Sequence, residues 1–130
     1  MNRARDWLRQ GFRDLEQARE SAKAGFHEWA CFASQQAAEK GIKAVYLHLG
    51  AEAWGHSLSR LCLGLREKIE IPEYVADAAR ILDHFYIPTR YPNGFDEGMP
   101  GDYYAEEDSA RAIKCAEEIL RLCEGFLAGP

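Results

Sequence analysis

The stretch from about Phe26 to Leu49 restricts the fold more than any other part of the chain. Its apolar residues Trp29, Phe32, Ala33, Ala37, Ala38, Ile42, Val45 and Leu49 recur three or four apart, over an arc wider than the single stripe of a surface helix. Ala33, Ala37, Ala38 and Gly41 are small, so a neighbouring helix can approach closely. A helix of this kind belongs at the centre of a bundle, and the rest of the chain has to surround it. The polar run Gln35-Gln36-Ala37-Ala38-Glu39-Lys40 lies inside the same stretch, so some of these groups must be buried and paired, or must line a shared surface.

The flanking segments supply the neighbours. From about Arg3 to Ala24, Leu8, Phe12, Leu15, Ala18 and Ala22 form one amphipathic stripe, with Gly25 as its stop; Gly50 stops the central helix. A short third helix is expected from Ser57, a good N-cap, carrying Leu58, Leu61, Leu65 and Ile69 inward. Pro72 suits the first turn of a fourth helix, buried through Val75, Ala79, Leu82 and Phe85 and ending before Pro88. The last helix is expected from about Ala105 to Glu124, with acidic residues at its positive end, a stripe through Ala112, Cys115, Ala116, Ile119, Leu122 and Cys123, and Gly125 as its stop. Between these two helices, residues 86–104 hold three prolines and three glycines without a period; loops of that length are disproportionately functional. The expected architecture is an all-α, up-and-down bundle of four to five helices with one long loop before the last, forming a single domain over residues 1–130.

Several function classes are disfavoured. The longest run without Asp, Glu, Lys or Arg spans ten positions, Trp29 to Ala38, too short to cross a membrane. The chain begins Met-Asn-Arg-Ala-Arg-Asp with no apolar leader, so a cytoplasmic location is expected. Cys31, Cys62, Cys115 and Cys123 lack the Cys-x-x-Cys spacing and are expected as free thiols. There is no phosphate-binding Gly-x4-Gly-Lys-Ser/Thr loop, no dinucleotide fingerprint and no His-Glu-x-x-His helix. His27 and Cys31, four apart, could share a metal but do not close a site, so neither metal nor cofactor is expected. The net charge of −5 argues against indiscriminate phosphate binding, yet its distribution is uneven. Residues 1–66 carry ten Lys/Arg against seven Asp/Glu, whereas residues 67–130 carry six against fourteen. The first half can face an anion and the second a basic partner.

Three groups of side chains carry possible chemistry. Lys40 and Lys43 offer cations on the central helix, although Glu39 and Lys43 also form a favourable i,i+4 pair. Arg90 offers a planar fork to phosphate, and Tyr91, Tyr103 and Tyr104 offer faces on which a base can stack, or else pin the loop to the bundle. Arg80 and His84, four apart beside the long loop, are the weak candidates for catalysis: a metal-independent ribonuclease needs an imidazole for proton transfer and a guanidinium for the phosphorane charge.

Taken together, the Trp29–Ala44 stretch with its Gln-Gln-Ala-Ala-Glu-Lys core, Gly55-His56-Ser57-Leu58, and Thr89-Arg90-Tyr91-Pro92 followed by Tyr103-Tyr104 and a final helix resemble the HEPN domain family over nearly the whole chain. These are small prokaryotic helical domains related to the C-terminal helical part of kanamycin nucleotidyltransferase. The resemblance implies a bundle of four or five helices, usually a homodimer or higher homo-oligomer, often encoded beside a minimal nucleotidyltransferase in a toxin-antitoxin-like system, and associated with nucleotides or RNA. It also implies, for the ribonuclease branch, Arg-x4-6-His near the start of the last long helix. This chain departs from that pattern: His84 follows Arg80 with three residues between, and the final helix has no histidine. No catalytic residue is therefore assigned. The leading expectation is a non-catalytic, nucleotide-associated interaction module partnered by a nucleotidyltransferase, with Lys40, Lys43, Arg90, Tyr91, Tyr103 and Tyr104 as contacts. The alternatives are a ribonuclease toxin using Arg80 and His84, and a purely structural self-associating bundle.

Overall fold

Gly25 and Gly50, at φ +88° and +71°, end the first two helices in a left-handed conformation that costs glycine little. At the first stop, Phe26 N–H donates to Ser21 O and Gly25 N–H to Ala22 O; at the second, Ala51 N–H donates to Tyr46 O and Gly50 N–H to Leu47 O. Both are Schellman motifs, which satisfy the last carbonyls and turn the chain back on itself. The computed structural model describes residues 2–128. Its helices are α1 (Ala4–Lys23), α2 (His27–His48), α3 (Leu58–Leu65), α4 (Glu73–Asp83) and α5 (Glu106–Ala128), with no strand among the described residues.

Helix α2 touches all four other helices, as its wide apolar arc requires. Ala30, Cys31, Ala37, Ala38, Ile42, Ala44 and Val45 are buried there, packed in one core with Leu15 of α1, Leu58 of α3, Leu82 of α4 and Ile119 and Leu120 of α5. The tightest approach involves two glycines. A Cβ at Gly41 would stand 2.7 Å from Leu120 Cδ2, and one at Gly11 would stand 3.0 Å from the same atom and 3.0 Å from Ala37 O. Glycine here brings α1, α2 and α5 within reach of one leucine side chain.

Helix α3 is capped from a distance. Asp83, at the end of α4, accepts from Leu58 N–H (2.7 Å) and Ser59 N–H (3.1 Å), while Ser57 Oγ accepts from Arg60 N–H. The expected Ser57 cap is present, and a carboxylate 26 positions away shares its work.

Three boundaries differ from the sequence expectation. Helix α3 ends at Leu65, leaving Ile69 half-buried in the following turns, where Arg66 donates to Ile71 O and pairs with Glu73. Helix α4 ends at Asp83, with Pro72 as its N-cap and Phe85 just past its end yet still packed on the core. Gly125 does not stop α5, which runs on through Leu127, buried against the core. The apolar contact of that extra turn outweighs the helix cost of one glycine, about 1 kcal/mol. The 86–104 connection is also more ordered than its composition suggests. It contains single 3-10 turns at Pro92–Gly94 and Pro100–Asp102, buried Thr89 donates to Phe85 O, and Pro100 is buried.

Two outcomes follow from this packing. Gly41→Ala should lower stability by about 1–3 kcal/mol by pressing on Leu120, whereas Gly125→Ala, with nothing within 4 Å of the new Cβ, should raise it by about 0.5–1 kcal/mol; urea unfolding curves of the two variants, moving in opposite directions, check this. All four cysteines are free and buried. Burial pushes the Cys31 thiol up to about 12 and the Cys62 thiol up to about 11. An unfolded thiol ionises near 9.0, so this contribution to stability is complete below pH 9 and is lost as the pH climbs from 9 to about 11 for Cys62 and about 12 for Cys31. The melting temperature should therefore fall over that range, and fall less in Cys31→Ala.

Candidate functional site

Glu39 faces the interior of the bundle, 6% exposed, and every polar group around it converges on its carboxylate. Lys43 donates to Oε2 at 3.0 Å from the next turn of α2, Gln35 Nε2 donates to Oε1 at 3.1 Å, and His56 Nδ1 lies 2.9 Å from Oε2. An ionised carboxylate only accepts, so Nδ1 carries the proton and the opposite ring nitrogen is left for solvent. Gln35, fully buried, also reaches His56 O, and Gln36 donates to Gln35 Oε1. The polar run inside the central helix therefore divides as the sequence requires: Gln35 and Glu39 are buried and paired, while Gln36 and Lys40 line a groove.

The imidazole of His56 stacks on Tyr86, with centroids 4.7 Å apart and planes at 21°. Tyr86 begins the long loop, and four residues later Arg90 returns over it. The Arg90 guanidinium carbon lies 4.5 Å from the centroid of Phe32, 4.7 Å from that of Tyr86 and 5.1 Å from that of Tyr91, and Nε donates to Tyr86 O at 2.9 Å. No carboxylate pairs with Arg90 among the described residues. A guanidinium so placed is held in orientation by ring faces and one carbonyl, and its two terminal nitrogens stay free for a planar anion.

The other expected site residues are distributed differently. Lys43 belongs to the Glu39 junction, whereas Lys40 points to α1 and is paired with Asp14 at 2.6 Å. Tyr91 joins the Arg90 cluster and is exposed. Tyr103 and Tyr104 form a second aromatic group. Tyr103 stacks on Phe95 at 4.1 Å and donates to Glu97 O, while Tyr104 stands edge-on to Phe85 and Phe95, its phenol pKa raised by burial. Both tie the loop to itself and to the core. Arg80 and His84 share a shallow depression with Asp108 and Arg111, but the Arg80 guanidinium is held by Asp77. His27 meets Ser109 of α5 at 2.9 Å, and the Cys31 thiol beside it is kept protonated by burial.

Sequence reasoning missed Phe32, Tyr86 and His56 as the surroundings of Arg90. The Tyr86–Arg90 spacing of four was the one local signal; the stack of His56 on Tyr86 joins residues thirty apart and left no pattern in either segment.

Helical architecture and motif order together define the class. The HEPN domain family model matches residues 4–126, and the chain belongs to that family. Among solved structures, TT1696 from Thermus thermophilus is 43% identical and superposes with a TM-score of 0.94 over 97% of this chain and 99% of that one. ST0689, described as an archaeal HEPN homologue, is 42% identical with a TM-score of 0.81 over 96% and 98% of the two chains. The HEPN domain protein tm0613 of Thermotoga maritima is 37% identical with a TM-score of 0.78 over 96% and 99%. MJ1304 of Methanocaldococcus jannaschii, named as a candidate toxin, is 25% identical over 95% of this chain and 88% of its own length.

Removing the carboxylate at the junction should be costly. Glu39→Ala removes the carboxylate that Lys43 pairs with and one of the two acceptors of the Gln35 amide and should destabilise the fold by about 2–4 kcal/mol, while His56→Ala, at an exposed ring, should cost far less; equilibrium denaturation of both variants and their double mutant gives the coupling.

Proposed function

We propose that this chain is a non-catalytic, nucleotide-associated HEPN module that self-associates and works with a nucleotidyltransferase partner in a toxin-antitoxin-like pair. The observation that carries the reading is Arg90: a cation oriented by Phe32, Tyr86 and Tyr91, with no carboxylate on it among the described residues. Phosphate oxygens would meet the free edge of the guanidinium, and the exposed ring of Tyr91 offers a base a face to stack on. Tyr103, Tyr104 and Lys43 then act from behind, holding the loop and the His56 junction; Lys40, paired with Asp14, lines the neighbouring groove. Exposed Leu63 on α3 and Tyr74 on α4 supply apolar surface that self-association would cover. The acidic first turn of α5, Glu106, Glu107 and Asp108, suits a basic partner surface. The likeness to a candidate toxin is in keeping with this setting.

The ribonuclease reading rests on Arg80, His84 and Arg111 lining one depression. It has less support, because Arg80 is committed to Asp77 and α5 carries no histidine.

Titration with ATP, GTP and short RNA, followed by thermal shift, tests the proposal, since a ligand bound only by the native state raises the melting temperature. A shift is expected with at least one of the two mononucleotides, abolished in Arg90→Ala and only weakly restored in Arg90→Lys, which lacks the planar fork. No shift with any ligand would sink the nucleotide-associated reading, and RNA cleavage lost in His84→Ala would replace it with the enzyme.

A further inference from the structure

All three tryptophans of this chain are exposed: Trp7 by 39%, Trp29 by 48% and Trp54 by 77%. Tryptophan is ordinarily among the most deeply covered side chains, so three open indoles on a small domain need an explanation. They are not scattered. Three depressions run along the α1–α2 seam, each sharing a residue with the next. The first, walled by Phe26 and Trp29, ends at Lys40; the second runs from Lys40 past Arg13 and Arg9 to Trp7; the third joins Trp7 to Lys43 and Trp54. From Trp29 to Lys43 the path follows α2 for fourteen residues, roughly 20 Å at the rise of an α-helix.

The charge along this path is opposite to that of the molecule. Arg9 and Arg13 are exposed, stand one turn apart on the same face, and meet no carboxylate among the described residues. Like charges at that spacing weaken a helix, so the pair is a local cost that an anion would relieve. Four carboxylates answer cations along the seam: Asp6, paired with Arg3; Asp14, paired with Lys40; Glu39, paired with Lys43; and Glu52, beside Trp54. Cations remain in excess on a chain whose net charge is −5.

From this alternation of indole and cation we infer that the α1–α2 seam binds single-stranded nucleic acid, its bases stacked on Trp29, Trp7 and Trp54 and its phosphates running past Lys40, Arg13 and Arg9. Each base has a face to stack, and a flexible strand can place successive bases and phosphates against unlike groups in turn. A second copy of the chain fits less well, because a two-fold contact through this seam sets Arg9 and Arg13 against their own counterparts. The seam adjoins the Arg90 cluster, because Phe32 lines the first depression and also carries the guanidinium; mononucleotides report on Arg90 and oligonucleotides on the tryptophans, so either reading can fail without the other.

The test is fluorescence anisotropy of labelled oligouridine, oligodeoxythymidine and a duplex of the same length, about 12 nucleotides each, with intrinsic tryptophan emission recorded in the same titration. Saturable binding is expected for both single strands, with quenching of the tryptophans and weaker binding to the duplex, whose bases are already stacked. Trp29→Ala and Trp54→Ala should each weaken binding about fivefold or more. Arg9→Ala/Arg13→Ala should weaken it and flatten the salt dependence by about 1.4 in the log–log slope, the release expected from two phosphate contacts. Arg111→Ala/Lys114→Ala on α5 should leave this binding unchanged. The inference is overturned by absence of binding at low salt, by a duplex bound as tightly as the single strands, or by unaltered affinity in the tryptophan and arginine variants. It is equally overturned if light scattering shows that Trp54→Ala breaks up an oligomer that had excluded the oligonucleotide.

Discussion

A carboxylate inside the most buried helix has to be neutralised where it stands, and much of this structure follows from how Glu39 is neutralised. Lys43 does so from within α2, but Gln35 and His56 complete the shell, and His56 lies on the connection to α3. That connection is fixed a second time by Asp83, which caps α3 from the end of α4. The chain leaving α4 then passes directly to Tyr86, whose ring meets the same imidazole. One buried charge thus links the central helix to both short helices and to the start of the long loop, and the orientation of Arg90 depends on that chain of contacts.

The opposite side of α2 is governed by packing. Gly11 and Gly41 allow Leu120 to fill the crossing of the three long helices. Apolar packing there and electrostatic closure at Glu39 fail in different ways. A methyl group added at the crossing forces a shift that the helices can partly absorb, whereas loss of the Glu39 carboxylate leaves the Lys43 ammonium without its ion-pair partner and the Gln35 amide with only His56 O as acceptor.

Surface charge separates the molecule into regions with different prospects. The α1–α2 seam concentrates cations and indoles, while the first turn of α5 is acidic. Such patterned faces can recognise ligands and partners, because stacking and ion pairing need an exposed edge more than an enclosed volume.

Helix periods, the Gly25 and Gly50 stops and the Ser57 cap were all legible in the sequence, since each is set by residues within one or two turns and by the backbone preferences of single side chains. So was the need for the Gln35–Lys40 run to be buried and paired or to line a shared surface, though which residues took which place was not. The fate of Gly125 was not legible, because it turned on whether Leu127 could find a core to pack against. Nor were the rings around Arg90, the Asp83 cap or the gathering of three tryptophans along one seam. Those depend on contacts between residues far apart in the chain, whose geometry exists only after the helices have packed.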